Sequence, residues 1–352
     1  MSGSQRFLSG LAIGSISAVA LSIAIVKVNQ TQNTSPVVVT VGNQPSPYQS
    51  RFQEIMGFGL PPENRVSIFE NHALQYSNEK RTPRWVAEHL TKTNLLKVEG
   101  VNRKHSSFAA DRDILEQFRP APDEYYKTGW SRGHMAPAAD CRSSQSAMNQ
   151  TFLLSNIVPQ DRDNNEKYWA NLESFCRGLT DFFDDVYVLS GPLYLPQRRP
   201  DGSRYVQYEI IGKSDIAVPT HLFKVILAVR SGQQPVLGAF IVPNSPIPAT
   251  TPLPKFQVPL QEVERVAGQV FLPELDRSKV KDLCLEHQCK LVSYEVRQLE
   301  YLTKNLSSAK TVQEADELWK SFAKRNIKAD PDTMAHYNSV RNSLASREKS
   351  LR

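Results

Sequence analysis

Trp130-Ser131-Arg132-Gly133-His134-Met135-Ala136-Pro137-Ala138 is the stretch on which the reading of this chain turns. An imidazole is neutral near pH 7 and can take a proton from water, and an arginine two residues away offers a planar fork of donors to a phosphate. Alone this is a weak signal, since each of the seven histidines, taken singly, is more often structural or solvated than catalytic. Ser155-Asn156-Ile157-Val158-Pro159-Gln160 then leads into Asn164-Asn165-Glu166-Lys167-Tyr168-Trp169 and on to Glu173. On a regular helix Asn165, Trp169 and Glu173 stand four apart and share one face, so an amide oxygen and a carboxylate point the same way. For that helix by itself, an amphipathic segment with Trp169 in the core and polar ends explains the pattern as well.

Outward from these residues the pattern alternates between strand and helix. Residues 185–190, 205–211, 221–230 and 236–242 are β-branched and aromatic runs bounded by Gly, Pro and Asn. Consecutive strands with short turns predict an antiparallel sheet, on which helices at 164–180 and 260–268 would pack, giving an α+β core. Beyond Leu275 the expectation is helix, over 294–305, 312–325 and 332–348, with Ala329-Asp330-Pro331-Asp332 as a break and N-cap before the last. The division that follows is a leader over 1–28, a linker over 29–50, a folded domain over 51–274 and a C-terminal helical appendage over 275–352. No internal repeat and no glycine-rich phosphate loop occurs.

Charged residues at 22% and hydrophobic residues at 40% are globular values, which argues against disorder as the main theme. The net charge of +6 is carried by the two ends: Arg6 and Lys27 are the only charges in residues 1–50, and residues 301–352 hold ten Lys/Arg against six Asp/Glu. The balanced middle would therefore have to bind a polyanion through locally placed arginines. Four cysteines, Cys141, Cys176, Cys284 and Cys289, are too few and too scattered for a disulfide framework. Cys284 and Cys289 are close enough to pair in an oxidising compartment, yet two ordinary thiols are the expected state.

Residues 7–26 carry no charge and match one bilayer core in length as a helix. Arg6 and Lys27 flank them and no acid precedes Glu54, a pattern shared by signal anchors and mitochondrial presequences. A secretory signal peptide is the competing reading, but the run is long for one and lacks a small-x-small cleavage site. An uncleaved membrane anchor is expected, followed by a polar linker broken by the β-prone run 37–41.

Ser-Arg-Gly-His followed by Asn-x3-Trp-x3-Glu resembles the DNA/RNA non-specific endonuclease family, whose usual motif is Asp-Arg-Gly-His, and within it the mitochondrial EXOG branch. Asn71-His72-Ala73-Leu74, Pro83-Arg84-Trp85-Val86, Ser190-Gly191-Pro192-Leu193 and Leu237-Gly238-Ala239-Phe240 extend the resemblance from about Asn71 to the C-terminus. It implies a ββα-metal (His-Me finger) core with a central antiparallel sheet. It also implies His134 as general base, Asn165 as the single protein ligand to Mg²⁺ (Mn²⁺ substituting), and Glu173 as the carboxylate that holds the ion's water. Arg132 matches a catalytic arginine, and Arg103, Asn156 and Arg177 match positions that contact the nucleic acid or orient the base. Ser131 departs from the family's usual Asp, which puts in doubt any carboxylate role at that position. Mg²⁺ favours octahedral oxygen coordination and keeps several waters, so one amide oxygen can suffice as its protein ligand.

The resemblance thus implies a mitochondrial nuclease cutting DNA, and also RNA or RNA/DNA hybrids, with a preference for 5′ ends. It further implies a homodimer, held at the inner membrane by its N-terminus and engaged in mitochondrial DNA repair or degradation. Two other classes stay open: a catalytically silent, membrane-tethered nucleic-acid-binding protein, and a secreted scavenging nuclease.

Overall fold

The computed structural model describes residues 66–350, except 326, together with two short strands nearer the N-terminus. Those two, Thr40–Val41 and Gln44–Pro45, pair antiparallel with each other within the expected linker. The apolar run 7–26 lies outside the described residues, and among the described residues no helix is long and apolar enough to cross a membrane.

The main body is built on an eight-stranded sheet. Its strands are β1 (Val66–Ile68), β2 (His72–Ser77), β3 (Thr82–Leu90), β6 (Asp185–Leu193), β7 (His221–Val229), β8 (Val236–Pro243), β9 (Gln257–Val258) and β10 (Lys281–Asp282). The spatial order is β9-β8-β7-β6-β3-β2-β1, antiparallel throughout, with β10 joining β8 in parallel. β4 (Ser131–His134) and β5 (Ile157–Gln160) form a separate antiparallel ribbon, in which Ser131 faces Gln160 and His134 faces Ile157.

The sheet is covered on both faces, which is why β7 reads as an almost unbroken apolar run. Along β7 the side chains alternate: Leu222, Ile226 and Ala228 join the large cluster beneath the helix Ala170–Leu179, whereas Phe223 and Val225 pack with Leu260 and Val263 of the helix Leu260–Ala267 on the other face. Helix α1 is Gln145–Gln150, α2 is Ala170–Leu179, and α3 (Leu260–Ala267) stops at Gly268, whose φ of +65° is the left-handed conformation glycine adopts without strain.

Three expectations are corrected. The helix over 164–180 is not regular: Asn164–Trp169 wind as a π-helix before α2 begins, so Asn165, Trp169 and Glu173 do not keep a strict four-residue spacing on one face. The run 205–211 is not one strand. Arg204–Tyr205 pair with Gln197–Arg198 and Ile210–Ile211 with Ile216–Ala217, two small ribbons outside the central sheet in which Val206 and Ile210 are exposed.

Cys284 and Cys289, expected as thiols, form a disulfide. Helix α4 (Leu283–His287) ends at Gln288 in the left-handed region, which folds the chain back and brings the two Cα atoms to 4.7 Å.

Beyond this point α5 (Tyr294–Ser308), α6 (Val312–Ala323) and α7 (Pro331–Ser350) fall close to their expected spans. They pack on one another through Leu302, Leu306, Ala315, Phe322 and Leu344, a cluster separate from the main core. Because β10 is in the central sheet, and Leu283 and Cys289 are in the main core with Leu291 packed against it, the core extends past residue 274.

Candidate active site

β4 brings the first functional residues together. Arg132 and His134, two apart on a strand, project to the same side, and Phe108 touches both: its ring lies 4.3 Å beneath the Arg132 guanidinium and 5.3 Å from the His134 ring. Phe152 meets His134 edge-on at 4.9 Å, packs 5.0 Å from Phe108 and carries the Arg103 guanidinium 5.6 Å above its own ring. The three rings form one mutually packed cluster, and each phenylalanine bears an arginine.

His134 is buried, and its Nε2 has no hydrogen-bond partner among the described residues. Burial, reinforced by the charges of Arg103 and Arg132, lowers its pKa to about 3. At neutral pH the imidazole is therefore uncharged, the form a general base requires.

Gly133 between them is required by close packing. A Cβ there would stand 2.0 Å from Oε1 of Gln160 on the paired strand. Gln160 in turn donates from Nε2 to Asn164 Oδ1 at 2.8 Å, which ties the ribbon to the start of the π turn.

Asn165 lies in that turn and is half-buried. Its Nδ2 donates to Ser131 Oγ at 3.2 Å, and Ser131 donates its own proton to the Gln160 carbonyl at 2.8 Å. With the hydroxyl proton already committed, Ser131 can only accept from Asn165, so the amide's nitrogen faces the serine and its Oδ1 faces away. An oxygen donor held in this way fits a hard divalent cation such as Mg²⁺. Among the described residues no group of three or more His, Cys, Asp or Glu side chains could hold an ion.

Glu173 sits further along α2, and burial raises its carboxyl to about 7, with Lys224 and Arg177 pulling the other way. Arg177 is mostly buried and pairs through Nη1 with Asp140 Oδ1 at 2.5 Å.

Asn156 requires correction as a nucleic-acid contact. It is fully buried, its Oδ1 accepts from the Ala136 amide at 2.9 Å, and its Nδ2 donates to the carbonyls of Ala136 (2.9 Å) and Thr151 (2.8 Å). Both of its N–H donors are spent on backbone carbonyls, so it has none left for a phosphate, and through Ala136 it braces the backbone just past His134.

Sequence reasoning missed Phe108 and Phe152, whose ring contacts carry no spacing signal, and the buried group of Glu88, Asp140 and Lys224. Lys224 did leave a trace, as a charge in the middle of the apolar strand 221–230.

A histidine-bearing β-ribbon followed by a helix that supplies an amide and a carboxylate defines a ββα-metal nuclease site. The chain belongs to the DNA/RNA non-specific endonuclease family, which its residues 53–278 match. It is 40% identical to the mitochondrial nuclease EXOG of Homo sapiens over 99% of this chain and 95% of that one, and 41% identical to the Danio rerio EXOG over 98% and 97%. The mitochondrial nuclease of Saccharomyces cerevisiae is 43% identical over 67% of this chain and 74% of its own length. Among solved structures, the EndoG/EndoGI complex matches with a TM-score of 0.61 and 38% identity, covering 68% of this chain and 96% of the other. The chain is accordingly a mitochondrial nuclease of a family that depends on a divalent metal ion.

Proposed function

We propose that this site hydrolyses phosphodiester bonds of DNA, and of RNA or RNA/DNA hybrids, with Mg²⁺ as the working ion and Mn²⁺ able to replace it. The observation that carries the reading is a neutral His134 on the same ribbon as Ser131, which turns the Oδ1 of Asn165 outward.

The His134 imidazole accepts a proton from the attacking water, which leaves the nucleophile free to approach phosphorus in line. Arg132 and Arg103, held over Phe108 and Phe152, offer charge-assisted hydrogen bonds to the same phosphate. Asn165 Oδ1 would hold the cation, which when bound offsets charge on the five-coordinate phosphate and the departing 3′ oxygen. Glu173, in its ionised form, orients water at the site. Arg177 lies one turn beyond Glu173 and fixes Asp140, and its charge adds to the field at the phosphate. These contacts address phosphate and sugar, so sequence preference should be slight.

Location and assembly extend the reading: attachment to the mitochondrial inner membrane by residues 1–28, a homodimer, 5′-end preference, and work in mitochondrial DNA repair or degradation. The mitochondrial relatives support the compartment, and the apolar, acid-free leader supports the anchor. The purified chain should nick plasmid DNA with Mg²⁺, leave 5′-phosphate ends and stop on addition of EDTA. Intact plasmid after prolonged incubation with Mg²⁺ and Mn²⁺ would favour a silent binding protein. Alkaline extraction of fractionated mitochondria tests the anchor, which a fully soluble protein would contradict.

A further inference from the structure

Lys224 occupies the centre of β7 with 1% of its surface exposed, flanked by Phe223 and Val225. The alternation of the strand sends its side chain to the α2 face along with Leu222 and Ile226. Its Nζ donates to Ser190 Oγ at 2.6 Å and lies 4.6 Å from the centre of the Trp169 ring. Among the described residues no carboxylate forms an ion pair with it. A buried ammonium held by one neutral hydroxyl and an aromatic face is costly to fold, and a methionine of similar length would fill the space more cheaply. Core stability therefore does not account for this lysine.

Its neighbour supplies the account. Trp169 is fully buried and is the residue at which the π turn bearing Asn165 passes into the helix bearing Glu173. We propose that Lys224 is a positioning residue of the nuclease site, its buried ammonium seating Trp169 so that the joint between π turn and α2 presents Asn165 and Glu173 together.

The same charge opposes the burial of Glu173. The other charges acting there are Arg177 from the same helix, Asp140 from the loop after β4, and Arg103 from the turn over Phe152. Glu88 on β3 faces the cluster from the sheet, and its own carboxyl is raised well above the usual range by burial and Asp140. Lys224 is buried away from the surface and acts on its buried neighbours, on Trp169 by contact and on Glu173 and Glu88 by its charge, which lowers both carboxyls against burial.

The inference rests on the nuclease reading and is tested with the full chain. Lys224→Met should lower kcat on DNA by roughly 10- to 100-fold, the scale on which residues supporting a metal-site ligand act, with KM changed less than about twofold because no substrate contact is lost. Its Tm, measured without metal, should equal or exceed that of the wild type. The rising limb of its pH profile should move to higher pH, so that part of the loss is recovered in alkaline buffer. Folded Lys224→Met with wild-type kcat and pH profile would overturn the inference, as would a loss of activity that follows a lowered Tm with no change in profile. If Lys224→Met does not fold, Ser190→Ala keeps the ammonium but removes its anchor. It should lose kcat several-fold with a near-normal Tm, and wild-type kcat there would equally overturn the idea. A wild-type chain without metal-dependent cleavage would instead refute the nuclease reading itself.

Discussion

Ser131 accepts a hydrogen bond from Asn165 Nδ2 at 3.2 Å while giving its own proton to the Gln160 carbonyl at 2.8 Å. The serine stands where the family's usual motif has an aspartate, and it cannot contribute a charge to the site. It contributes direction: the strand fixes the hydroxyl, and the hydroxyl fixes which end of the amide faces outward. Ser131→Ala should raise the Mg²⁺ concentration for half-maximal activity about tenfold, a typical cost of removing a ligand's supporting contact. Asn165→Ala should be nearly inactive with little rescue at high Mg²⁺, since the lost oxygen fixes where the ion sits. Magnesium titration of both variants checks this, and full rescue of Asn165→Ala would reduce that residue to a weak helper.

The pH dependence should follow Glu173, not His134. With its pKa lowered to about 3, His134 is already the free base throughout the neutral range. The Glu173 carboxyl, raised to about 7, is protonated below that value and becomes a carboxylate above it. Activity should accordingly climb as pH rises through about 7. Glu173→Gln should remove that limb along with most of the activity. A profile of kcat/KM from pH 5 to 9 checks both, and an activity that falls over this rise would contradict the assignment.

Gly133→Ala should be destabilising out of proportion to one methyl group. The added Cβ meets Gln160 Oε1 at 2.0 Å, and Gln160 is pinned through Nε2 to Asn164, so it can yield only by loosening the π turn. Overpacking of this kind costs about 1–3 kcal/mol. Chemical denaturation should show that loss, accompanied by a drop in kcat, and an alanine variant with wild-type stability and activity would mean the ribbon adjusts freely.

Most of this architecture could be read from residue order. Strands 221–230 and 236–242 are legible because burial on both faces favours continuous apolar runs, 185–190 because buried Val186, Val188 and Ser190 alternate with more exposed residues, and the three C-terminal helices because each has a clear cap or amphipathic repeat. The run 205–211 misled because its β-prone residues divide between two small ribbons outside the central sheet, with Val206 and Ile210 exposed and Ile211 buried in a separate apolar cluster. In the site, His134 and Asn165 were legible by motif. The roles of Asn156 and Ser131 were not, since they depend on which atom donates to which. Nor was the Cys284–Cys289 pair, which depends on the left-handed turn at Gln288.

The C-terminal helices invite a test of substrate shape. They carry much of the positive charge and hold together through their own apolar cluster, while Arg297 ties them to α2 by donating to Asn171 Oδ1 at 3.1 Å. We expect a chain ending at Val292, which keeps β10 and the disulfide, to lose 5′-end preference more than total phosphodiesterase activity. It should also bind DNA with a shallower salt dependence, as Lys/Arg contacts are lost. End-labelled duplexes and circular dichroism check this, and a folded truncation that trims from the 5′ end like the full chain would rule out a role in shaping the substrate.

The account stands or falls on His134 as the base, and single-turnover cleavage of a labelled oligonucleotide by His134→Ala, alongside its equilibrium binding, tests that most directly. General-base removal should slow cleavage by about 10²–10⁴-fold while DNA affinity stays within about twofold, because the lost interaction acts on the barrier. Cleavage at a near-normal rate by the folded variant would contradict the account.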